Sequence, residues 1–365
     1  MDLDPMAPQP KLRLHRVQVI EIPDGLLLKR GRVVVKIEGG EAAEVDQALL
    51  AVAADGDATR EEMAARFPAS LRSAVDELIQ GLETRRLLTE ATGADELDGR
   101  PEDPLDVFYW HFGKSATAAE RAFEKARVTV LGVNCVSRQL VGALVSAGLE
   151  SVEVIDYPLL SNVRLLGEDG VVLDERWPGC LPRPRAYREW FETTGGRQVG
   201  CLVATSDFGG QHLLRRWNRH CVQERIAFLP VVLQDLIGTV GPLVVPGESA
   251  CLECLRAREN SHMTDPDTQR AAEYVAYEGQ VVNAFHPSMA SVLGDIAAME
   301  LLKLYGQLMR SRIVGRLIEV NLVVPQLTER RVLKLPRCAV CGPGEGSSPV
   351  SQDKVAFMPG HEVAR

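Results

Sequence analysis

Between residues 17 and 37 the apolar positions come in short runs broken by turn residues: Val17-Gln-Val-Ile-Glu-Ile22, Leu26-Leu-Leu28 after Pro23-Asp-Gly25, and Val33-Val-Val-Lys-Ile37 after Arg30-Gly31. Aliphatic runs bounded by Gly, Pro and Asp read as strands, so a small antiparallel sheet is predicted here. The period then lengthens. Helices are predicted near 42–53, 59–66 and 70–88, the second opened by the capping box Thr59-Arg-Glu-Glu62 and the third carrying Leu71, Val75, Leu78 and Leu82 on one face. Three strands and three helices in roughly 80 residues make a small core of their own, and the pattern is that of a winged-helix-like domain over residues 11–90.

The stretch from Glu90 to Pro104 is polar and punctuated by Gly and Pro, which marks a linker over 91–104. From about 105 onward, helical stretches alternate with apolar strands: Arg127-Val-Thr-Val-Leu131, Val152-Glu-Val-Ile155, Cys201-Leu-Val-Ala204 and Phe228-Leu-Pro-Val-Val-Leu233. That alternation predicts an α/β domain over 105–345, with a strand-rich section near 312–335. Residues 346–365 are expected to be a flexible tail.

Composition narrows the function classes. The 365 residues are 45% hydrophobic and 25% charged, with a formal charge of −9 and a pI near 5.4. No global basic field is available to hold nucleic acid or an anionic membrane. The helix expected at 70–88 sets Arg72, Arg85 and Arg86 against Asp76, Glu77 and Glu83, so it offers no basic reading face. The N-terminus lacks the basic flank and apolar run of a secretory signal, and no 18-residue apolar stretch occurs, so the chain is expected in the cytoplasm.

In a reducing compartment the eight cysteines are not expected to pair as disulfides. Four of them form two CxxC motifs, Cys251-Leu-Glu-Cys254 and Cys338-Ala-Val-Cys341, with 83 residues between. Each motif lets a short turn aim two sulfurs at one point, and four thiolates suit one tetrahedral zinc. Four thiolates leave no open coordination position, so the zinc is expected to be structural. Cys135, Cys180, Cys201 and Cys221 read as small hydrophobes, His212, His220, His262 and His286 lack metal-ligand spacing, and Trp177, Trp190 and Trp217 read as core or interface anchors.

Val128-Thr-Val-Leu-Gly132-Val-Asn134-Cys-Val-Ser137 runs strand, turn, helix, as a nucleotide-binding unit does, and Asp156 ends the next strand where an acid would meet a ribose. The glycine fingerprint is incomplete: Asn134 and Ser137 stand where the second and third glycines would let a phosphate approach backbone.

These segments, with Ser161-Asn-Val-Arg164, Ala204-Thr-Ser-Asp207, Gly241-Pro-Leu-Val-Val-Pro-Gly247 leading into the first CxxC, and Ala297-Ala-Met-Glu-Leu-Leu-Lys303, resemble the ThiF/MoeB group over about 105–345. The resemblance implies a Rossmann-like fold related to ubiquitin-activating enzymes, a homodimer, and a zinc on Cys251, Cys254, Cys338 and Cys341. It further implies a nucleotide site in which Gly132, Asp156, Arg164 and Asp207 take part, Asp156 as the ribose acid and Asp207 as the magnesium-associated acid. The basic and glutamine residues that hold ATP phosphates in that group are replaced by Leu165 and Leu166, so ATP use by this chain alone is not expected.

The N-terminal domain ahead of such a fold resembles, more narrowly, the leader-peptide-binding proteins of azole-containing ribosomal peptide pathways. There the small domain recognises the precursor, and a separate YcaO-type enzyme uses ATP to cyclise Cys, Ser or Thr to thiazolines and oxazolines. The expected peptide site is the strand edge Val33, Val34, Val35, Lys36 and Ile37 beside the helix wall Leu71, Val75 and Leu78, where a disordered leader adds as a strand. The rival reading is an active adenylating enzyme that activates its bound peptide itself.

Overall fold

The computed structural model describes residues 10–38, 48–49, 51–53, 56, 58–91, 103–167, 169, 171–194, 199–265, 267–268, 271, 284–309 and 313–342. Of the helix expected at 42–53, the described residues 48–49 and 51–53 are helical; most of the linker and all of the tail lie outside the described residues. Backbone contacts divide the chain into two units, Met1–Ala116 and Thr117–Arg365.

The first unit contains β1 (Lys11–Leu14), β2 (Gln18–Ile22), β3 (Gly25–Arg30), β4 (Val33–Glu38), β5 (Ala58–Thr59), α1 (Arg60–Ala65), α2 (Arg72–Thr84), β6 (Leu88–Glu90) and α3 (Pro104–His111). The expected antiparallel sheet is β2-β3-β4, with Leu26 opposite Ile37 and Leu28 opposite Val35, and a second sheet has the order β5-β1-β6. The turn into β3 admits only glycine: Gly25 has φ +149°, and a Cβ there would lie 1.9 Å from the Ile37 carbonyl oxygen. Leu28, Val35, Leu49, Met63, Val75, Ile79, Leu82 and Leu87 bury one shared core. The capping box at Thr59 forms as its sequence predicts, with Glu62 N–H donating to Thr59 Oγ1 and Thr59 N–H to Glu62 Oε2.

Two boundaries differ from the sequence reading. The third helix was expected to run to residue 88, but α2 stops at Thr84 and Leu88 begins a strand. Arg86 turns left-handed at φ 58°, Leu87 N–H donates to Leu82 O at 2.9 Å and Arg86 N–H to Glu83 O at 2.9 Å, a Schellman ending built without glycine. Leu82 and Leu87 bury their side chains around it, and Trp110 Nε1–H donates to Arg86 O at 2.9 Å. That tryptophan marks the second difference. α3, expected with the second domain, puts Trp110 into the core of the first.

The second unit comprises α4 (Ala116–Glu124), β7 (Val128–Leu131), α5 (Cys135–Ser146), β8 (Val152–Asp156), β9 (Arg185–Ala186), α6 (Tyr187–Thr194), β10 (Cys201–Ser206), α7 (Gln211–Gln223), β11 (Ala227–Gln234), β12 (Ile237–Val240), α8 (Leu252–His262), α9 (Pro287–Tyr305), β13 (Arg316–Asn321) and β14 (Gln326–Arg331). One eight-stranded sheet has the order β14-β13-β12-β11-β10-β7-β8-β9. Strands β11, β10, β7, β8 and β9 run parallel to one another, while β12, β13 and β14 are added antiparallel beside β11. Helix α9 lies on α5 at close range: a Cβ on Gly294 would stand 2.9 Å from Leu140 N and 3.0 Å from Val136 O. The core on the other face gathers Leu131, Ile155, Leu202 and Phe228 of the sheet with Tyr187, Trp190 and Trp217 of α6 and α7, and with Cys251, Cys254 and Cys338. Among the described residues no helix is long and apolar enough to cross a membrane.

Candidate functional site

After β7 the chain crosses through α5 to β8, while β10 pairs on the other flank of β7, so the strand order reverses between β7 and β10. In such sheets a crevice opens there, outside the carboxyl ends of the strands. All four residues expected at a nucleotide site lie at or beyond the carboxyl ends of these strands: Gly132 after β7, Asp156 closing β8, Arg164 in a helical turn beyond it, and Asp207 after β10. Gly132 has φ +101°, and a Cβ on it would come within 2.9 Å of Thr205 O, so this glycine is required by the turn itself.

The two residues that replace glycines are completely buried and hydrogen-bonded to one another. Asn134 caps α5: its Oδ1 accepts from Ser137 N–H at 2.9 Å, and Ser137 Oγ accepts from Asn134 N–H at 2.9 Å. Asn134 Nδ2 donates to Leu160 O, Thr205 O and Thr205 Oγ1, each at 3.0 Å. Asp207, 0% exposed, brings Oδ2 to Cys135 N–H at 3.0 Å and to Asn162 Nδ2 at 2.8 Å. The start of a helix attracts anions through its unpaired N–H groups. Here the chain's own carboxylate already meets one of these groups, and its own side chains meet two more.

Burial pushes the Asp207 carboxyl above its ordinary range, against the pull of Asn162 and the Cys135 N–H. Burial first, then Asp207, pushes the Cys135 thiol up to about 11, so it is a thiol and not a nucleophilic thiolate at neutral pH. Asp156 accepts from Ser161 Oγ–H at 2.5 Å. Arg164 is exposed, its N–H bonded to Asn162 Oδ1 at 2.9 Å and its carbonyl held by Arg176. His212, pushed down to about 4 by burial and then by Arg216 and Arg215, and His220, lowered by burial, are neutral residues of α7.

The two CxxC motifs meet. Cys251 Sγ is 3.9 Å from Cys254 Sγ and 3.7 Å from Cys338 Sγ, Cys254 Sγ is 3.4 Å from Cys341 Sγ, and all four sulfurs lie within 4.8 Å of one another. Four ligands at roughly 2.3 Å from a central ion would be separated by about 3.8 Å along the edges of a tetrahedron, so the cluster could hold a metal ion with little rearrangement. Three of the sulfur-bearing residues are buried and Cys341 is partly so. Leu335 N–H donates to Cys254 Sγ at 3.4 Å, a bond that a thiolate accepts best.

In the first unit, β4 pairs with β3 and with no other described strand. Val33, Val35 and Ile37 turn toward the core that Leu71, Val75 and Leu78 also join, while Val34 and Lys36 face outward. Of the three helix residues Val75 is 0% exposed, whereas Leu71 and Leu78 are half-buried.

Arg215 and Asn218 escaped the sequence reading. They bond to Glu253 and Leu252, the two residues between the first pair of cysteines. No local motif distinguishes them; only the glutamate inside the CxxC hinted at a cationic partner.

No family model and no curated protein sequence matches the chain. Solved structures do. The chain is similar to E. coli MccB solved with AMPCPP and MccA, at 15% identity over 91% of this chain and 99% of that one, with a TM-score of 0.64. It is similar to the microcin C7 biosynthetic enzyme MccB in complex with N-formylated MccA, at 16% identity, the same coverage and a TM-score of 0.64. It is also similar to the heterocyclase TruD, at 19% identity over 91% of this chain but 43% of TruD, with a TM-score of 0.59. At these identities the likeness is one of fold.

Proposed function

We propose that this chain is a leader-peptide-binding scaffold that presents a ribosomally made precursor to a separate YcaO-type ATP-dependent cyclodehydratase, and that it does not adenylate the peptide itself. The carrying observation is that three N–H groups at the amino end of α5 already meet side chains of this chain, those of Ser137, Asp207 and Asn134. A triphosphate arriving there would have to displace a buried carboxylate and an asparagine hydrogen-bonded to Ser137, Leu160 and Thr205, without the basic and glutamine residues that Leu165 and Leu166 replace. The fold likeness to a microcin biosynthetic enzyme and to a heterocyclase supports a role in peptide maturation.

On this reading residues 11–90 are a winged-helix-like recognition domain. The leader adds antiparallel or parallel to the edge of β4 that no described strand pairs and lays apolar side chains against Leu71 and Leu78, with backbone bonds giving affinity and the groove giving selectivity. The four cysteines hold one structural zinc, which contributes the tie between the segments carrying the two CxxC motifs and supplies no chemistry to the peptide. The chain works as a homodimer in the cytoplasm. The test is a comparison on the full chain of leader binding, by fluorescence titration, with ATP–pyrophosphate exchange in the presence of the same precursor. Binding without exchange supports the scaffold; robust exchange abolished by Asp207→Ala overturns it.

That second outcome would favour the adenylating enzyme. The presence of Asp156 and Asp207 at the crevice, and the likeness to an MccB structure that contains AMPCPP, are what support that reading.

A further inference from the structure

Both residues between the cysteines of the first CxxC are gripped by one helix. Asn218 Oδ1 accepts from Leu252 N–H at 3.1 Å. Three residues earlier on the same face of α7, Arg215 meets Glu253 through two parallel bonds, Nε to Oε2 at 2.9 Å and Nη2 to Oε1 at 2.6 Å. Leu252 N–H belongs to the first turn of α8, where a donor lacks an intrahelical partner, and Cys251 as N-cap makes no side-chain bond to that turn. Asn218 therefore does the capping that a serine or aspartate would do, from another helix. Its carboxamide is 0% exposed, and among the described residues its side chain makes no other bond. Burying an amide for one contact is costly, so the contact is what keeps it there.

The second CxxC is held differently. Its turn is closed by Cys338 N–H to Leu335 O at 3.2 Å and Gly342 N–H to Cys338 O at 2.9 Å, both within its own segment, and Leu335 N–H reaches across to Cys254 Sγ. Both turns thus close within their own segments, the first by Cys254 N–H to Cys251 O at 3.0 Å, and the segment before Cys338 is also tied by Arg258 Nε–H to Leu333 O; the difference is that, among the described residues, only the first pair has both intervening residues bonded by side chains of another helix.

From this asymmetry we infer that Arg215 and Asn218 are positioning residues that orient Cys251 and Cys254 as one half of a four-sulfur site for a divalent metal, the Cys338–Cys341 turn supplying the other half. The inference rests on the zinc reading of the cysteine cluster and adds to it the residues that orient the ligands. A bidentate Arg–carboxylate pair fixes direction as well as charge, which is why a lysine cannot replace it fully. Residues that orient metal ligands in this way commonly change affinity by about 10- to 100-fold when removed.

The test uses cobalt(II) on the full-length chain, read by its thiolate-to-metal charge-transfer and d–d bands in competition with a chelator. The wild-type protein is expected to give a tetrahedral four-sulfur spectrum. Arg215→Met and Glu253→Gln should each keep that spectrum and weaken binding about 10- to 100-fold, Arg215→Lys should fall between, and the exchange Arg215→Glu with Glu253→Arg should recover most of the loss. Asn218→Ala should weaken binding in the same direction. Affinities within about twofold of wild type in both Arg215→Met and Glu253→Gln overturn the inference, as does a loss that the charge exchange fails to restore. Should Arg215→Met not fold by circular dichroism, Glu253→Gln and the exchange variant decide the matter. A wild-type chain that takes up no cobalt or zinc overturns the zinc reading itself, and this inference with it; a metal-binding wild type with indifferent variants overturns this inference alone.

Discussion

The crevice between β7 and β10 and the four-cysteine cluster are both polar sites of the second unit, and they treat their polar groups in opposite ways. In the crevice each group has found a neighbour within the chain: Asn134 with Ser137, Leu160 and Thr205, and Asp207 with Cys135 and Asn162. In the cluster four thiols face one another at 3.4 to 3.9 Å along the measured edges and find little else. Groups that bond one another must break those bonds to take a ligand, whereas thiols gathered this closely in a buried place gain most from a cation. The difference teaches that two polar sites of one sheet can dispose of their polar groups in different ways, one by bonding them to each other and one by gathering them around a common point.

The largest test of this contrast is Cys338→Ser. If the cluster holds a structural metal, the variant should lose it and several kcal/mol of stability, since metal binding there is folding free energy. Elemental analysis and thermal unfolding with and without chelator check this, and an unchanged melting temperature would break the contrast at its strong end.

Next in size is Asn134→Ala, expected to cost about 2 to 3 kcal/mol, because it removes a helix cap and leaves buried carbonyls of Leu160 and Thr205 without their donor. Urea unfolding reads it. A neutral result, or a variant that gains ATP binding at no cost in stability, would mean that the crevice is a vacant nucleotide site and not a structural network.

Gly294→Ala should come third at about 1 to 3 kcal/mol, since the new methyl would press on Leu140 N and Val136 O, backbone atoms that cannot step aside. It sharpens the comparison by asking whether α5 is held by packing from α9 as well as by its own cap. Val35→Pro is expected to leave stability of the second unit's unfolding transition unchanged while weakening leader binding to the full chain by at least about tenfold, because Val35 sits in the middle of β4 and proline bends an edge strand. Unaltered binding in that variant would move the peptide site away from β4. Smallest is Thr59→Ala at about 1 kcal/mol, the ordinary cost of a helix cap, readable in the same denaturation series.

Much of this was visible in the residues. The β2-β3-β4 runs, the Thr59–Glu62 box, the strands of the parallel sheet and the meeting of the two CxxC motifs all follow from local period, turn chemistry and ligand spacing, which sequence carries directly. The end of α2 was not legible, because its stop is an arginine held left-handed by Leu82, Leu87 and Trp110, and no glycine announces it. The place of α3 was equally hidden, since a polar linker before it suggested a boundary while Trp110 was committed to the first unit's core.

For the site, the sequence determined which residues could act: four cysteines, two acids, and a turn short of two glycines. Only the tertiary structure decided what each one meets. It turned Asp207 onto the amino end of α5, made Asn134 the centre of a buried network, and recruited Arg215 and Asn218 to the turn of the first CxxC. The physical reason is that spacing fixes direction along one helix or strand, whereas a hydrogen-bond partner is chosen by packing between segments far apart in the chain.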